Sequence, residues 1–195
     1  QYLLYQLGTE AFAQNNLSKA IEYFSLSLQS SSTGKYSAES YYWRSESYYR
    51  SSQSDKSIAD LKSFFSNSYA RSSVNYKTAN YALAYAYFSQ KNYSEALNWF
   101  LKYVDLENNP GATTYVDAFN RIGDCYFNAR NFTKAETYYS RASSLSPNTG
   151  DYAAFQSAYV AGLQKNYSTK INRLESLISK YPKSEYIDDA LYEIG

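Results

Sequence analysis

The chain has no histidine and no methionine, one cysteine, three prolines and seven glycines in 195 residues. Each scarcity excludes something. Without His, the commonest general base and metal ligand near neutral pH is missing, and so is any Ser–His–Asp or Cys–His arrangement. The lone Cys125 allows no internal disulfide, no Cys-rich metal site and no redox pair. It stands beside Gly123 in a helical pattern and reads as a small packed residue, because a reactive thiol needs a cationic, exposed setting. The carboxylates, among them Asp117, Asp124 and the pair Asp188–Asp189, are too scattered to suggest glycoside chemistry, and no glycine-rich phosphate loop is present. The expectation is a non-catalytic protein with no cofactor and no bound metal. Few prolines and glycines also argue against a many-turned sandwich or barrel and for long helices.

Charge of one sign is lacking as well: 19 basic and 18 acidic residues leave a net charge of +1. The basic footprint of a nucleic-acid binder is absent, so no nucleic-acid partner is expected. The stretch 35–77 leans basic and the C-terminal end leans acidic, and both read as solvated faces. No apolar run approaches the ~18–20 residues of a membrane span, so no direct membrane insertion is expected. The chain opens on Gln1 and contains no Met, so it is read as a processed or excised piece of a longer protein. A missing targeting signal then carries no weight.

What is abundant is tyrosine, with 25 copies against 10 phenylalanines. A large apolar ring with a polar tip suits half-buried surfaces, as in a fold whose every element is shared between a thin core and solvent. These residues fall into an internal repeat. Leu7-Gly8-x-x-Ala11-Phe12, a polar break at Asn15-Asn16 and Ala20-Ile21-x-Tyr23-Phe24 recur as Leu83-Ala84-x-x-Tyr87-Phe88, Lys91-Asn92 and Ala96-Leu97-x-Trp99-Phe100. They recur again as Ile122-Gly123-x-x-Tyr126-Phe127, Arg130-Asn131 and Ala135-x-x-Tyr138-Tyr139, with weaker copies from Arg44 and from Ser157. The small residues Gly8, Ser45, Ala84, Gly123, Ala158 and Gly195 recur at intervals of 35 to 39.

Apolar residues at three- and four-residue steps on either side of each break predict two helices joined by a tight turn. Asn16, Asn92, Asn131 and Asn166 are expected in the left-handed conformation that ends a helix. Ser18, Ser94, Thr133 and Ser168 are expected as N-caps, with Thr133 and Glu136 as a capping box. The same Asn-x-Ser/Thr triplets match a glycosylation acceptor pattern, but turn chemistry explains them better. The helices are expected as pairs at 1–14 and 18–30, 36–51 and 55–68, 75–90 and 94–106, 114–129 and 133–145, 151–164 and 168–179, with a last helix from about Ser184. Small residues such as Gly8, Ala20, Gly123 and Ala135 let paired helices approach, and a single hairpin cannot bury its aromatic face alone.

With these residues in view, the whole chain resembles the tetratricopeptide repeat family. Pro147 and Pro182 match the prolines that close its units. The resemblance implies an all-α fold, a right-handed α-solenoid of antiparallel helix–turn–helix repeats, with five units plus the first helix of a sixth. It implies one solenoid domain over 1–195, with units at about 1–34, 35–72, 73–111, 112–149, 150–183 and a partial 184–195. These units are longer than the family's usual ~34 residues. Arg44 stands where the family has an aliphatic residue, Lys170 where it has alanine, and Phe64 and Tyr103 in another alanine slot. The segment Tyr181-Pro182-x-Ser184-x-Tyr186-x-x-x-Ala190-Leu191-x-x-Ile194-Gly195 resembles a bacterial cell-envelope subclass that includes outer-membrane-assembly lipoproteins and Tol–Pal coordinators. That resemblance favours the periplasm or cell envelope and leaves the cytoplasm open.

In this family the first helix of each pair lines the concave side. The residues expected there are Tyr5, Phe12, Tyr42, Glu46, Tyr49, Arg50, Tyr81, Tyr85, Phe88, Asn120, Asp124, Phe127, Phe155 and Tyr159. The family's Lys/Asn/Arg clamp for a terminal carboxylate is not matched, since Tyr and Thr hold its early positions. An aromatic groove instead suits an extended or helical peptide. The leading expectation is therefore a protein-interaction scaffold for a peptide segment or partner subunit. A carbohydrate or small-ligand module and a structural spacer between other domains are the alternatives. Some of the rings are expected simply to pack neighbouring units.

Overall fold

Residues 1–195 are described by a computed structural model in which every regular element is helical. The helices are α1 (Tyr2–Ala13), α2 (Leu17–Ser30), α3 (Lys35–Arg50), α4 (Ser54–Ser66), α5 (Tyr76–Ser89), α6 (Tyr93–Leu106), α7 (Thr113–Asn128), α8 (Phe132–Leu145), α9 (Asp151–Leu163), α10 (Tyr167–Lys180) and α11 (Ile187–Ile194). All begin and end within three residues of the expected positions. A 3-10 turn at Ala70–Ser72, between α4 and α5, has no periodic signal in the sequence. The fold is all-α, of the solenoid class built from antiparallel helical hairpins, as expected. No helix is long and apolar enough to cross a membrane.

The chain divides into two compact units, Gln1–Trp99 and Phe100–Gly195. In the first, each helix packs on the next from α1 to α5, and the first helices of successive pairs also meet, α1 with α3 and α3 with α5. In the second, α7 to α11 pack in chain order. Within a pair, close approach depends on having no Cβ at one point. A Cβ on Gly8 would lie 2.6 Å from the Phe24 ring, and one on Gly123 would lie 2.5 Å from the Tyr139 ring. Both rings are almost fully buried, and burying a side chain such as Phe24 contributes about 1.5–3 kcal/mol. In the fifth pair the smaller Leu174 shares its cluster with Ala158, and a methyl group fits where glycine was needed before.

The hairpin turns correct the expected register. Five residues outside glycine have positive φ: Asn15 (58°), Ser52 (59°), Lys91 (59°), Arg130 (56°) and Lys165 (62°). Asn15, Lys91, Arg130 and Lys165 each lie one position before the asparagine expected there, and Ser52 lies in the second pair's turn, for which no such residue was expected. The following N–H reaches back to a carbonyl five residues earlier: Asn16 to Ala11 (2.8 Å), Gln53 to Tyr48 (2.9 Å), Asn92 to Tyr87 (3.0 Å), Asn131 to Tyr126 (2.9 Å) and Asn166 to Ala161 (2.9 Å). This is the Schellman closure, and it leaves the Asn side chain free to start the next helix. Asn16, Asn92, Asn131 and Asn166 accept from the backbone N–H of Lys19, Glu95, Lys134 and Thr169 at 3.2–3.3 Å. The asparagines are the N-caps, and the Ser and Thr residues lie inside the first turn. The Thr133–Glu136 capping box does not form: Thr133 meets Gln164, and Glu136 takes Arg173 and Gln164.

A left-handed residue with a Cβ costs about 1–2 kcal/mol, and glycine gives back part of that gain through unfolded-state entropy. Replacing Lys91, Arg130 and Lys165 together by Gly is therefore expected to stabilise the protein by about 2 kcal/mol. That corresponds to about 4–8 °C in the thermal midpoint. An unchanged or lower midpoint would contradict the strain argument.

The departures from the family pattern are accommodated one by one. The Arg44 guanidinium donates to both Asp60 oxygens at 2.7 Å and to Ser25 Oγ at 2.9 Å. The Lys170 stem crosses Gly162, where a Cβ would lie 2.8 Å from its Cδ, and its ammonium pairs with Glu193. Phe64 is fully buried against Tyr42 and Phe65, and buried Tyr103 hydrogen-bonds Thr114 (2.7 Å) and Glu107 (3.2 Å). Cys125 is buried, and burial pushes its thiol up to about 12, in keeping with a packing role.

Candidate binding face of the first helices

In the first unit the face formed by α1, α3 and α5 carries a ladder of rings. Phe12 and Tyr42 lie in the core rather than on a free surface, at 9% and 4% exposure, with Trp43 wedged against both at 5.0 and 5.1 Å. The Arg50 guanidinium covers Phe12 from outside, 4.3 Å from the ring centre. Arg50 is exposed, Glu46 and Tyr49 are half-buried, and together these three form a polar patch above the buried rings. Burial raises the Glu46 carboxyl above its ordinary value, and Arg50 pulls it partly back. The Tyr49 phenol is also raised, first by burial and then by the Glu46 charge. Along α5, Tyr81, Tyr85 and Phe88 are half-buried and in ring contact, Tyr81–Tyr85 at 4.9 Å and Tyr85–Phe88 at 6.3 Å.

Tyr5 belongs to a different feature, which the sequence did not reveal. It lines a groove of about 470 Å³ with Tyr2, Tyr36, Glu39, Trp43 and Asn75, and Tyr69 and Val74 also border it. Tyr2 and Tyr5 flank Tyr36 at 4.8 and 5.7 Å. Burial raises the Tyr5 phenol, with a further push from the Glu39 charge. Tyr36, Glu39 and Trp43 follow an i, i+3, i+7 spacing that continues to Glu46 and Arg50, which was the available signal.

In the second unit Asn120, Asp124 and Phe127 follow one another along α7. Asp124 is buried, and both of its oxygens are committed. Oδ1 accepts from the hydroxyls of Tyr139 (2.7 Å) and Tyr152 (2.6 Å), and Oδ2 takes the Arg121 guanidinium. Asp124 is therefore an internal anchor, and this corrects its expected place on the binding face. Phe127 contacts Tyr159 at 6.2 Å, which is followed by Phe155 at 6.4 Å and then Tyr186 at 5.2 Å. Phe127, Phe155 and Tyr159 are half-buried. Asn120 Oδ1 is buried without a hydrogen-bond partner. No group of three or more His, Cys, Asp or Glu residues is placed to hold a metal ion.

The arrangement can present flat, amphipathic rings and isolated charges to another molecule, and it gathers no nucleophile with a base. Three segments match the Tetratricopeptide repeat family: 44–113, 116–149 and 152–184. Together they span more than two thirds of the sequence, and the chain belongs to this family. Among solved structures it is similar to YrrB, a tetratricopeptide protein with an unusual peptide-binding site (TM-score 0.79, 16% identity, 97% of this chain and 89% of YrrB covered). It is also similar to MamA (TM-score 0.77, 18% identity, 100% and 96% covered) and to the apo form of RapI (TM-score 0.72, 19% identity, 98% and 74% covered). At these identities the likeness is one of fold. No curated protein matches the chain in sequence.

Proposed function

We propose that the protein is a non-catalytic interaction scaffold that receives a peptide segment or partner subunit on the faces of its first helices. The observation that carries this reading is that Tyr49, Tyr81, Tyr85, Phe88, Phe127, Phe155 and Tyr159 are neither buried nor fully exposed. All of them but Tyr49 touch another ring and yet remain partly exposed, so they offer contact area at little further entropic cost. The peptide-binding site of YrrB, a protein of like fold, adds support. The carbohydrate and spacer alternatives have no specific observation in their favour. A bacterial cell-envelope setting rests on the Tyr181–Gly195 motif alone.

Selection of binders from a random peptide display library, followed by amide chemical-shift mapping of the best peptide, tests the proposal. Shifts are expected on first helices, α1, α3 and α5 in one unit or α7 and α9 in the other, with affinity for a peptide that maps to the first unit reduced about tenfold or more in Tyr81→Ala/Tyr85→Ala if the helical spectrum is retained. Shifts confined to the second helices, or no selectable peptide, would overturn it.

A further inference from the structure

We propose that the groove between α1, α3 and the segment entering α5 is a lysine-recognition pocket, which takes the ammonium group of a lysine side chain on a partner polypeptide. The inference rests on the reading of the first-helix face as the binding surface and adds the chemistry of one subsite. Its starting point is Glu39, a groove-lining carboxylate that is only 7% exposed. Its Oε2 accepts from Asn75 Nδ2 at 2.8 Å, and Oε1 makes no hydrogen bond or ion pair within the chain. A carboxylate on the groove wall with one neutral partner and its second oxygen uncommitted is a charged acceptor that a cation entering the groove would complete.

The chain does not supply that cation. Lys35 also lines the groove, four residues before Glu39 on α3, which is the spacing of a helical ion pair. It is exposed and makes no salt bridge to Glu39. The walls suit a cation as well as the floor does. The rings of Tyr2, Tyr36 and Tyr5 stand 4.8 and 5.7 Å apart in sequence of contact, with Trp43 also in the lining. A cation within about 6 Å of such ring centres is attracted by their faces. An aliphatic stem entering past Tyr69 and Val74, which are 48% and 91% exposed, would cover their apolar surface on the way in.

The geometry favours lysine over arginine. Asn75 uses part of the acceptor capacity of Glu39 Oε2, so one arm of a guanidinium fork would compete with that hydrogen bond, whereas a compact ammonium is served by Oε1 alone. The polypeptide source follows from the surroundings: Glu46 and Arg50 continue the Tyr36, Glu39, Trp43 spacing along α3 beyond the groove, which offers polar partners to flanking residues of a bound segment.

The test uses the whole chain and three probes, acetyl-(Ala-Lys)3-amide and its glutamine and arginine counterparts, with the Trp43 indole N–H resonance as readout. The lysine peptide is expected to shift that resonance and to bind about tenfold more tightly than the glutamine peptide, since a hydrogen bond to a charged group is at stake. Glu39→Gln, nearly isosteric, is expected to remove the difference between the two, and Asp188→Asn on α11 to leave it intact. Equal binding of lysine and glutamine peptides, survival of the preference in Glu39→Gln, or tighter arginine binding would overturn the proposal. n-Butylammonium matching the peptide's affinity would overturn the polypeptide source. A library peptide without lysine that still maps to α1, α3 and α5 would leave the scaffold reading standing while this one fails.

Discussion

Replacing Asp124 by Ala is expected to cost the protein about 3–5 kcal/mol, as when one partner of a buried charged network is removed. Asp124 accepts from three donors on three helices: Arg121 on its own helix, Tyr139 on α8 and Tyr152 on α9. Without it, two phenols lose their acceptor, and the Arg121 guanidinium, which also lies 5.3 Å over the Tyr152 ring, loses its closer carboxylate while Asp117 stays at 3.4 Å. That loss approaches the whole stability of many domains, so the urea midpoint should fall sharply and the Tyr139 and Tyr152 environments should report it. Asp124→Asn is expected to be milder for the phenols, which can keep the amide oxygen, and unfavourable for Arg121, which would face an amide N–H₂.

The same network fixes a pH dependence. Burial, and after it the Asp124 charge, pushes both phenols well above the ordinary value of 10. A raised folded value means the stability is fully present below pH 10 and is lost as pH climbs toward the folded values. In that window each phenol held neutral costs about 1.4 kcal/mol per pH unit. Stability should be flat through neutrality and fall steeply above pH 10, and less steeply in Tyr152→Phe. A fall that begins near pH 8 would contradict this assignment.

The helical pairs were legible because each turn interrupts a strong 3.6-residue pattern and because small residues recur at the close approaches. The register of the turns was not, for a physical reason. Asn suits both the left-handed position and the N-cap, and what decides between them is the backbone bond from Asn16 to Ala11 and its equivalents, which a sequence does not display. Helix α3 shows a second limit. Ser37, Glu39, Ser40, Ser45 and Ser47 are all buried there, so hydropathy gives little sign of an inner face. The serines are satisfied locally: Ser37 donates to Thr33, Ser45 to Tyr42 and Ser47 to Trp43, and Ser40 meets Ser27. Glu39 looks like one more solvated residue of a polar helix until the groove around it is seen. Asp124 misleads in the opposite direction: its spacing from Asn120 puts it on the expected face, and only Tyr139 and Tyr152, distant in sequence, draw it inside.

Arg44 offers the sharpest contrast between a pair's geometry and its net worth. Its side chain is 18% exposed and that of Asp60 8%, and the two meet in a fork at 2.7 Å on both arms. Asp60→Ala is expected to destabilise by about 3–5 kcal/mol, because the guanidinium is left with only Ser25 and the rings of Tyr41 and Tyr48. The double replacement Arg44→Met/Asp60→Leu removes both charges and restores an aliphatic residue where the family carries one. Desolvating two ions offsets most of their attraction, so this variant is expected within about 1 kcal/mol of the parent, or above it. Urea titrations of the parent, the singles and the double form a thermodynamic cycle that separates the cost of stranding a charge from the value of the pair. A double variant as unstable as Asp60→Ala would show that the ion pair itself holds α3 to α4; recovery would show that ordinary apolar packing between these helices suffices.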